Sequence, residues 1–187
     1  MIALTNDGRL YAWGSNSAGQ LGLGHLNCVH TPEPLTSSVK IKQIAVGFTH
    51  ALAVSSDGKL YGWGSNHFGQ VGSNNLPYID KPTFIAFPEK ITAVDAGMHY
   101  SLALSATGKV YAWGWNGFGQ LGLGDLKSRS TPMPIPNLSG VRVIAAGDAH
   151  ALAIGKSQLL GWGSNESGQL GQAVARQITP NPFLAIA

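Results

Sequence analysis

The fifteen residues from Leu10 to Gly24, LYAWGSNSAGQLGLG, decide how this chain folds, because the chain writes them again. The stretch returns as LYGWGSNHFGQVGSN at 60–74, as VYAWGWNGFGQLGLG at 110–124 and, shortened, as LLGWGSNESGQLG at 159–171. Its tryptophans, Trp13, Trp63, Trp113 and Trp162, stand 50, 50 and 49 residues apart. Two further landmarks keep step. Gly47, Gly97 and Gly147 open GFTHALAV (47–54), GMHYSLAL (97–104) and GDAHALAI (147–154), each 34 residues after a tryptophan. A proline pair recurs in Thr31-Pro32-Glu33-Pro34, Thr131-Pro132-Met133-Pro134 and Thr179-Pro180-Asn181-Pro182. Three landmarks in register exclude coincidence, and a repeat near fifty residues governs everything that follows.

Each repeat reads as strands. In the third, Ile91 to Ala96, Tyr100 to Ser105 and Lys109 to Trp113 are short apolar or alternating runs, and Ser105-Ala106-Thr107-Gly108 supplies a tight hairpin turn. A fourth, outer strand is expected after each proline pair, since proline is tolerated at strand starts and edges. Four short strands per fifty residues are the signature of a propeller blade. In His50-Ala51-Leu52-Ala53-Val54 one face is bulky and the other is alanine only, which lets neighbouring blades nest. The tryptophans are expected in the blade interfaces. Gln20, Gln70, Gln120 and Gln169, which recur in the loop after each tryptophan, are expected to satisfy backbone groups there.

Composition narrows the function classes. The 187 residues carry only 12 basic and 9 acidic side chains, so 11% are charged against roughly 25% in an average domain. A net charge of +3 with basic residues scattered over Lys40, Lys42, Lys127, Arg129, Arg142, Lys156 and Arg176 gives no nucleic-acid face. No apolar run reaches the roughly 18 residues of a membrane span. The first residues do not form a secretory signal, so a cytoplasmic setting, or delivery into a host cytosol, is expected. There is no G-x-S-x-G elbow and no H-E-x-x-H, and GQLGLG lacks the Lys-Ser/Thr of a phosphate loop. His25, Cys28 and His30 are too few for a zinc site, and Cys28 reads as a packing residue. No cofactor, metal or catalytic constellation is expected.

The combination G-x-x-H-(A/S)-L-A, (L/V)-Y-(A/G)-W-G-(S/W)-N and G-Q-(L/V)-G resembles the regulator of chromosome condensation repeat family, over essentially the whole chain. Trp-Asp and Gly-Gly dipeptides, which WD and kelch propellers would show, are absent. The resemblance implies an all-β propeller, normally of seven blades, used as a recognition surface. Here about four blades are present, as a partial, open propeller. They form one repeat domain over 1–187, with repeats at approximately 1–38, 39–88, 89–138 and 139–187. Four full repeats would need 200 residues, and an open arc leaves uncovered edges. The chain is therefore expected to belong to a longer propeller or to pair with another copy or chain.

The family's namesake is an exchange factor for the small GTPase Ran, and its G-x-x-H turns face the GTPase. The matching residues here are Phe48, Thr49 and His50, then Met98, His99 and Tyr100, then Asp148, Ala149 and His150. Asp148 stands in the Gly-Asp-x-His form that the exchange factor also uses. That factor further relies on an acidic residue after Trp-Gly and on an inserted wedge. Only Glu166 is acidic in those loops here, and the even spacing leaves no room for a wedge. His50 and His150, recurring at one repeat position, also read as scaffold, as do Gly47, Gly97 and Gly147. The family's plant photoreceptor carries tryptophan in such a turn, and this chain does not. Trp115, the one tryptophan outside the repeat position, suits an interface anchor. The leading reading is a protein-interaction module that holds a partner through its loops. The alternative is an exchange factor or regulator of a Ran- or Rab-class GTPase.

Overall fold

A computed structural model describes residues 1–36, 39–73, 76–155 and 158–171, and the backbone of a strand at 184–186. The third proline pair, Lys156 and Arg176 lie outside the described residues. All regular structure among the described residues is β. Strands β1 (Ile2–Leu4), β2 (Leu10–Gly14) and β3 (Val29–Leu35) form a three-stranded sheet. A second sheet holds β4 (Ile41–Val46), β5 (His50–Ser55), β6 (Leu60–Ser65) and β7 (Tyr78–Ile85). The third holds β8 (Ile91–Ala96), β9 (Tyr100–Ser105), β10 (Val110–Gly114) and β11 (Arg129–Pro134). The fourth holds β12 (Val143–Ala146), β13 (His150–Ile154), β14 (Leu159–Gly163) and β15 (Leu184–Ile186). Every sheet is an antiparallel meander with strands in chain order. The sheets stand in a row that does not close on itself, with β4, β8 and β12 successive neighbours.

One expectation needs correction. The proline pairs of the first and third sheets do not precede the outer strand; they lie inside it, with Tyr11 opposite Pro34 and Tyr111 opposite Pro134. The outer strand is an edge, so the missing proline N–H groups remove no ladder bond on the open side. A register shift between Ala12 and Gly14, repeated at Gly62/Gly64 and Ala112/Gly114, re-aims each third strand where its loop begins.

The core lies between sheets, because each is apolar on both faces. The Leu52 and Val54 face of the second sheet packs with Ala103 and Trp113 of the third. Leu102 and Leu104 of the third pack with Ala151, Ala153 and Trp162 of the fourth. Ala51, Ala53 and Trp63 meet Leu10, Ala12 and Leu21 of the first. Alanine opposite a bulky row is what admits an indole between two sheets. Trp63, Trp113 and Trp162 are buried, while Trp13 in the first sheet is half-buried. Each buried indole also reaches back one repeat. Trp63 Nε1 donates to the Gln20 carbonyl at 3.1 Å, Trp113 to Gln70 at 2.9 Å and Trp162 to Gln120 at 2.9 Å.

At the opposite edge, the amides of Ile41, Ile91 and Val141 donate to the carbonyls of Gly8, Gly58 and Gly108 at 2.9–3.1 Å. One bond at each edge therefore ties every sheet to the one before it. Gly72 shows why the loop sequence is strict. Its φ is +84°, and a Cβ there would lie 2.6 Å from Trp113 Nε1. Glycine alone meets both demands.

Candidate functional site

The G-x-x-H turns and the long loops share one edge of the row. The turns are chained together: Phe48 N donates to Met98 O at 3.3 Å, and Met98 N to Asp148 O at 3.1 Å. Each long loop is anchored to the turn of its own sheet. Ser65 N donates to Thr49 O at 2.8 Å, Trp115 N to His99 O at 2.9 Å and Ser164 N to Ala149 O at 2.8 Å.

Inside the loops an asparagine that the sequence reading passed over does most of the positioning. Asn116, wholly buried, donates through Nδ2 to the carbonyls of Asp125 and Lys127 and accepts from Leu121 N at 3.0 Å. Asn16 makes the same set with His25, Asn27 and Leu21. Asn66 and Asn165 accept from Val71 N and Leu170 N. The signal was present, since the residue recurs in every copy of W-G-(S/W)-N. The glutamines stand beside it. Oε1 of Gln20, Gln70, Gln120 and Gln169 accepts from the amide two residues before each, at 2.9 Å. Gln70 and Gln120 are buried and Gln169 is exposed.

On this frame the second and third repeats display a run of aromatic rings. The centroid of Phe48 lies 5.9 Å from that of His99, edge to face, and Phe68 lies 5.2 Å from His99. Trp115 lies 6.1 Å from Phe68, 6.4 Å from His99 and 5.4 Å from Phe118. Phe48 is 68% exposed, while Phe68 and Phe118 are exposed at 41% and 42%. Met98, also exposed, follows Gly97 in the turn that carries His99. Trp115 is half-buried, and its ring lies over Gly117, where any side chain would collide with it. His99 is half-buried, its Nδ1 is enclosed without a hydrogen-bond partner, and burial lowers its pKa. It sits in the cluster as a neutral ring at pH 7.

The sequence-derived candidates divide accordingly. Phe48, Met98, His99 and Trp115 come together, joined by Phe68 and Phe118, which were not singled out. Asp148 and Glu166 are exposed on the fourth repeat, and Thr49 and His150 are half-buried. His50 and Tyr100 are wholly buried and have no side-chain surface to offer a partner. His50 Nε2 lies 2.9 Å from Ser101 Oγ, whose own proton goes to Gln70 O at 2.7 Å. Nε2 must therefore carry the proton. Burial, reinforced by nearby His99, lowers the His50 pKa to about 3. The Tyr100 hydroxyl donates to the His150 carbonyl, and burial together with Asp95 and Asp148 raises its pKa. Cys28 is exposed, not packed, because β3 begins only at Val29. Among the described residues no three His, Cys, Asp or Glu converge as metal ligands.

Successive meanders of three or four strands, with cores between them and loops gathered at one edge, define an open array of propeller blades. The chain belongs to the RCC1-like domain family, which it matches over residues 1–185. Human WBSCR16 superposes on the whole chain with a TM-score of 0.87 at 29% identity, the match covering 50% of that chain. Yeast RCC1 (Prp20), solved bound to Kap60, gives 0.86 at 27% identity over the whole chain and 46% of its own. A second structure of Prp20p from Saccharomyces cerevisiae, described with its binding properties to Gsp1p and histones, gives 0.72 at 30% identity, covering 78% and 39%. The ultraviolet-B receptor UVR8 of Arabidopsis thaliana is 40% identical over 55 residues, 28% of this chain and 12% of the receptor. The chain thus spans about half the length of the solved propellers it matches.

Proposed function

We propose that this chain is a protein-interaction module that holds its partner on the loop edge through Phe48, Phe68, His99, Trp115 and Phe118. The observation that carries this reading is the contiguity of these rings across two repeats while three of them stay open to solvent. Isolated exposed hydrophobes are ordinary. A connected aromatic patch, held by buried asparagine and glutamine side chains, is the composition of an interface core. At the corresponding positions the first repeat carries Ser15 and Ala18 and the fourth Ser164 and Ser167, so the patch is local. The test is affinity capture with the wild type, Phe68→Ala/Trp115→Ser and an opposite-edge control, Lys59→Ala. A specific partner should be lost from the double variant alone; identical capture by all three refutes the reading.

A second reading, regulation of a small GTPase, is favoured by exposed Asp148, hydrogen-bonded through its carbonyl to the turn that carries His99. The relation to Prp20p, described with Gsp1p, supports it. Release of a fluorescent nucleotide from Ran- and Rab-class GTPases, accelerated by the chain and lost in Asp148→Ala, is its expected signature.

A further inference from the structure

The loop edge carries a sign of charge as well as an apolar patch. The G-x-x-H turns (47–49, 97–99 and 147–149) and the long loops (15–19, 65–69, 115–119 and 164–168) contain two formally charged side chains, Asp148 and Glu166. Both are acidic, exposed and on the fourth repeat. No lysine or arginine belongs to these turns and loops. Arg9, Lys59 and Lys109 stand in the hairpin turns at the opposite edge, and Lys40, Lys90 and Arg142 stand there just before β4, β8 and β12. Lys127 and Arg129 lie where the outer strand β11 begins, and there both face Asp125, whose Oδ2 is 2.6 Å from Arg129 Nη2.

Asp148 is tied to the patch through its backbone. Its carbonyl accepts from Met98 N at 3.1 Å, one residue from His99. Its carboxylate makes no hydrogen bond or ion pair with a described residue. Asp148 and Asp95 both bear on Tyr100, the residue after His99, so the turn lies in a negative field. The rings add to it. Phe48 meets His99 and Trp115 meets Phe118 edge to face, at 90° and 86°, which in each pair leaves one ring's faces uncovered by the other. An aromatic face is negative and attracts a cation. Guanidinium is the cation suited to both features, because it is flat, weakly hydrated and able to stack on a ring while its N–H groups pair with a carboxylate.

Resting on the reading of the patch as an interface, we propose that its partner is a protein segment presenting an arginine. The guanidinium stacks on the rings around Trp115 and His99, and its charge is met by Asp148. Phe48 and Phe118 take the apolar flanks of the segment, and Glu166 extends the acidic side.

The experiment titrates the whole chain with the peptide acetyl-Gly-Phe-Arg-Phe-Gly-amide, followed by NMR on the Trp115 indole resonance, which is assigned by its loss in Trp115→Ser. The dissociation constant should be on the order of 0.1–1 mM. The peptide with citrulline in place of arginine, flat but neutral, should bind at least about fivefold more weakly, and the lysine peptide about threefold more weakly. Raising sodium chloride from about 0.05 to 0.5 M should weaken the arginine peptide at least about twofold and leave the citrulline peptide unchanged. Asp148→Asn should weaken the arginine peptide alone, about threefold, whereas Glu33→Gln, which removes the same charge from β3, should change nothing. Trp115→Ser should weaken both peptides. Circular dichroism checks that each variant folds, and Asp148→Asn carries the test should Trp115→Ser fail to fold. Equal affinity for the citrulline peptide, with both peptides lost in Trp115→Ser, overturns the proposal and leaves the patch an apolar interface. Absence of saturable binding of the arginine peptide, equal affinity for the lysine peptide, or an unchanged affinity in Asp148→Asn overturns it equally.

Discussion

Mild acid should destabilise this protein through His50, well above the pH at which its carboxylates titrate. In the unfolded chain the imidazole titrates near 6.5, whereas in the folded protein burial holds its pKa to about 3. Below pH 6.5 the unfolded state therefore binds a proton that the native state refuses, so stability is full above 6.5 and falls as the pH drops toward 3. Between pH 7.5 and 5.0 the loss from this one group is about 2 kcal/mol, taking about 1.36 kcal/mol per pH unit below 6.5. That is a large share of a stability of roughly 5–15 kcal/mol. His99, half-buried with its pKa lowered by burial, acts in the same direction and leaves a smaller residual slope. The assay is urea unfolding of wild type and His50→Gln at both pH values, with direct titration of the His50 resonances by NMR. Wild type should lose about 2 kcal/mol more than the variant over that interval. Equal losses, or a His50 that titrates near 6.5 in the folded protein, would show that the ring is hydrated and that the turn beneath the aromatic patch is open.

Three further outcomes test the frame and the surface. Trp113→Phe keeps a ring in the interface but removes the donor to Gln70 O, and should cost about 1–2 kcal/mol by thermal unfolding. Trp113→Ala should cost about 3–5 kcal/mol, and Trp13→Ala, at a half-buried position, clearly less. Gly72→Ala should cost more than about 1 kcal/mol, because the added carbon meets both a left-handed backbone and the Trp113 indole. Trp115→Ser, which restores the residue of the other three repeats, should change stability by less than about 1 kcal/mol while removing partner capture. A large loss of stability there would mark Trp115 as a packing residue.

Much of the architecture was readable because the chain states it more than once. Trp13, Trp63, Trp113 and Trp162 set the period, the alanine face of His50 to Val54 announced close-packed sheets, and the hairpin glycines marked the turns. The placement of the prolines was misread because an edge strand tolerates proline along its length as well as at its start, and composition alone does not separate the two. The site was legible only in part. Trp115 stood out as a departure from the repeat and Phe48 as a residue of the family's turn, whereas Phe68 and Phe118 occupy the same position in two successive repeats and passed for pattern. Their significance comes from Trp115 N binding His99 O, a contact that no spacing in the sequence predicts. His50 and Tyr100 followed the family's surface turns in sequence, yet their side chains turn inward. Ser101 and the His150 carbonyl receive them there.

The indole bonds have a direction: each runs from one repeat to the carbonyl of the repeat before it. The contact between sheets is consequently head-to-tail, with a donor side and an acceptor side that are never interchangeable. A repeat copied or deleted as a unit carries one of each, so the indole bond survives a change in number, while the side chains packed beside it differ from one interface to the next. The backbone tie between sheets is thereby independent of how many repeats the row holds, and the loops on each repeat are left free to diverge. The clustering of aromatic residues on two adjacent repeats, against serine and alanine on their neighbours, is the kind of divergence such a row permits.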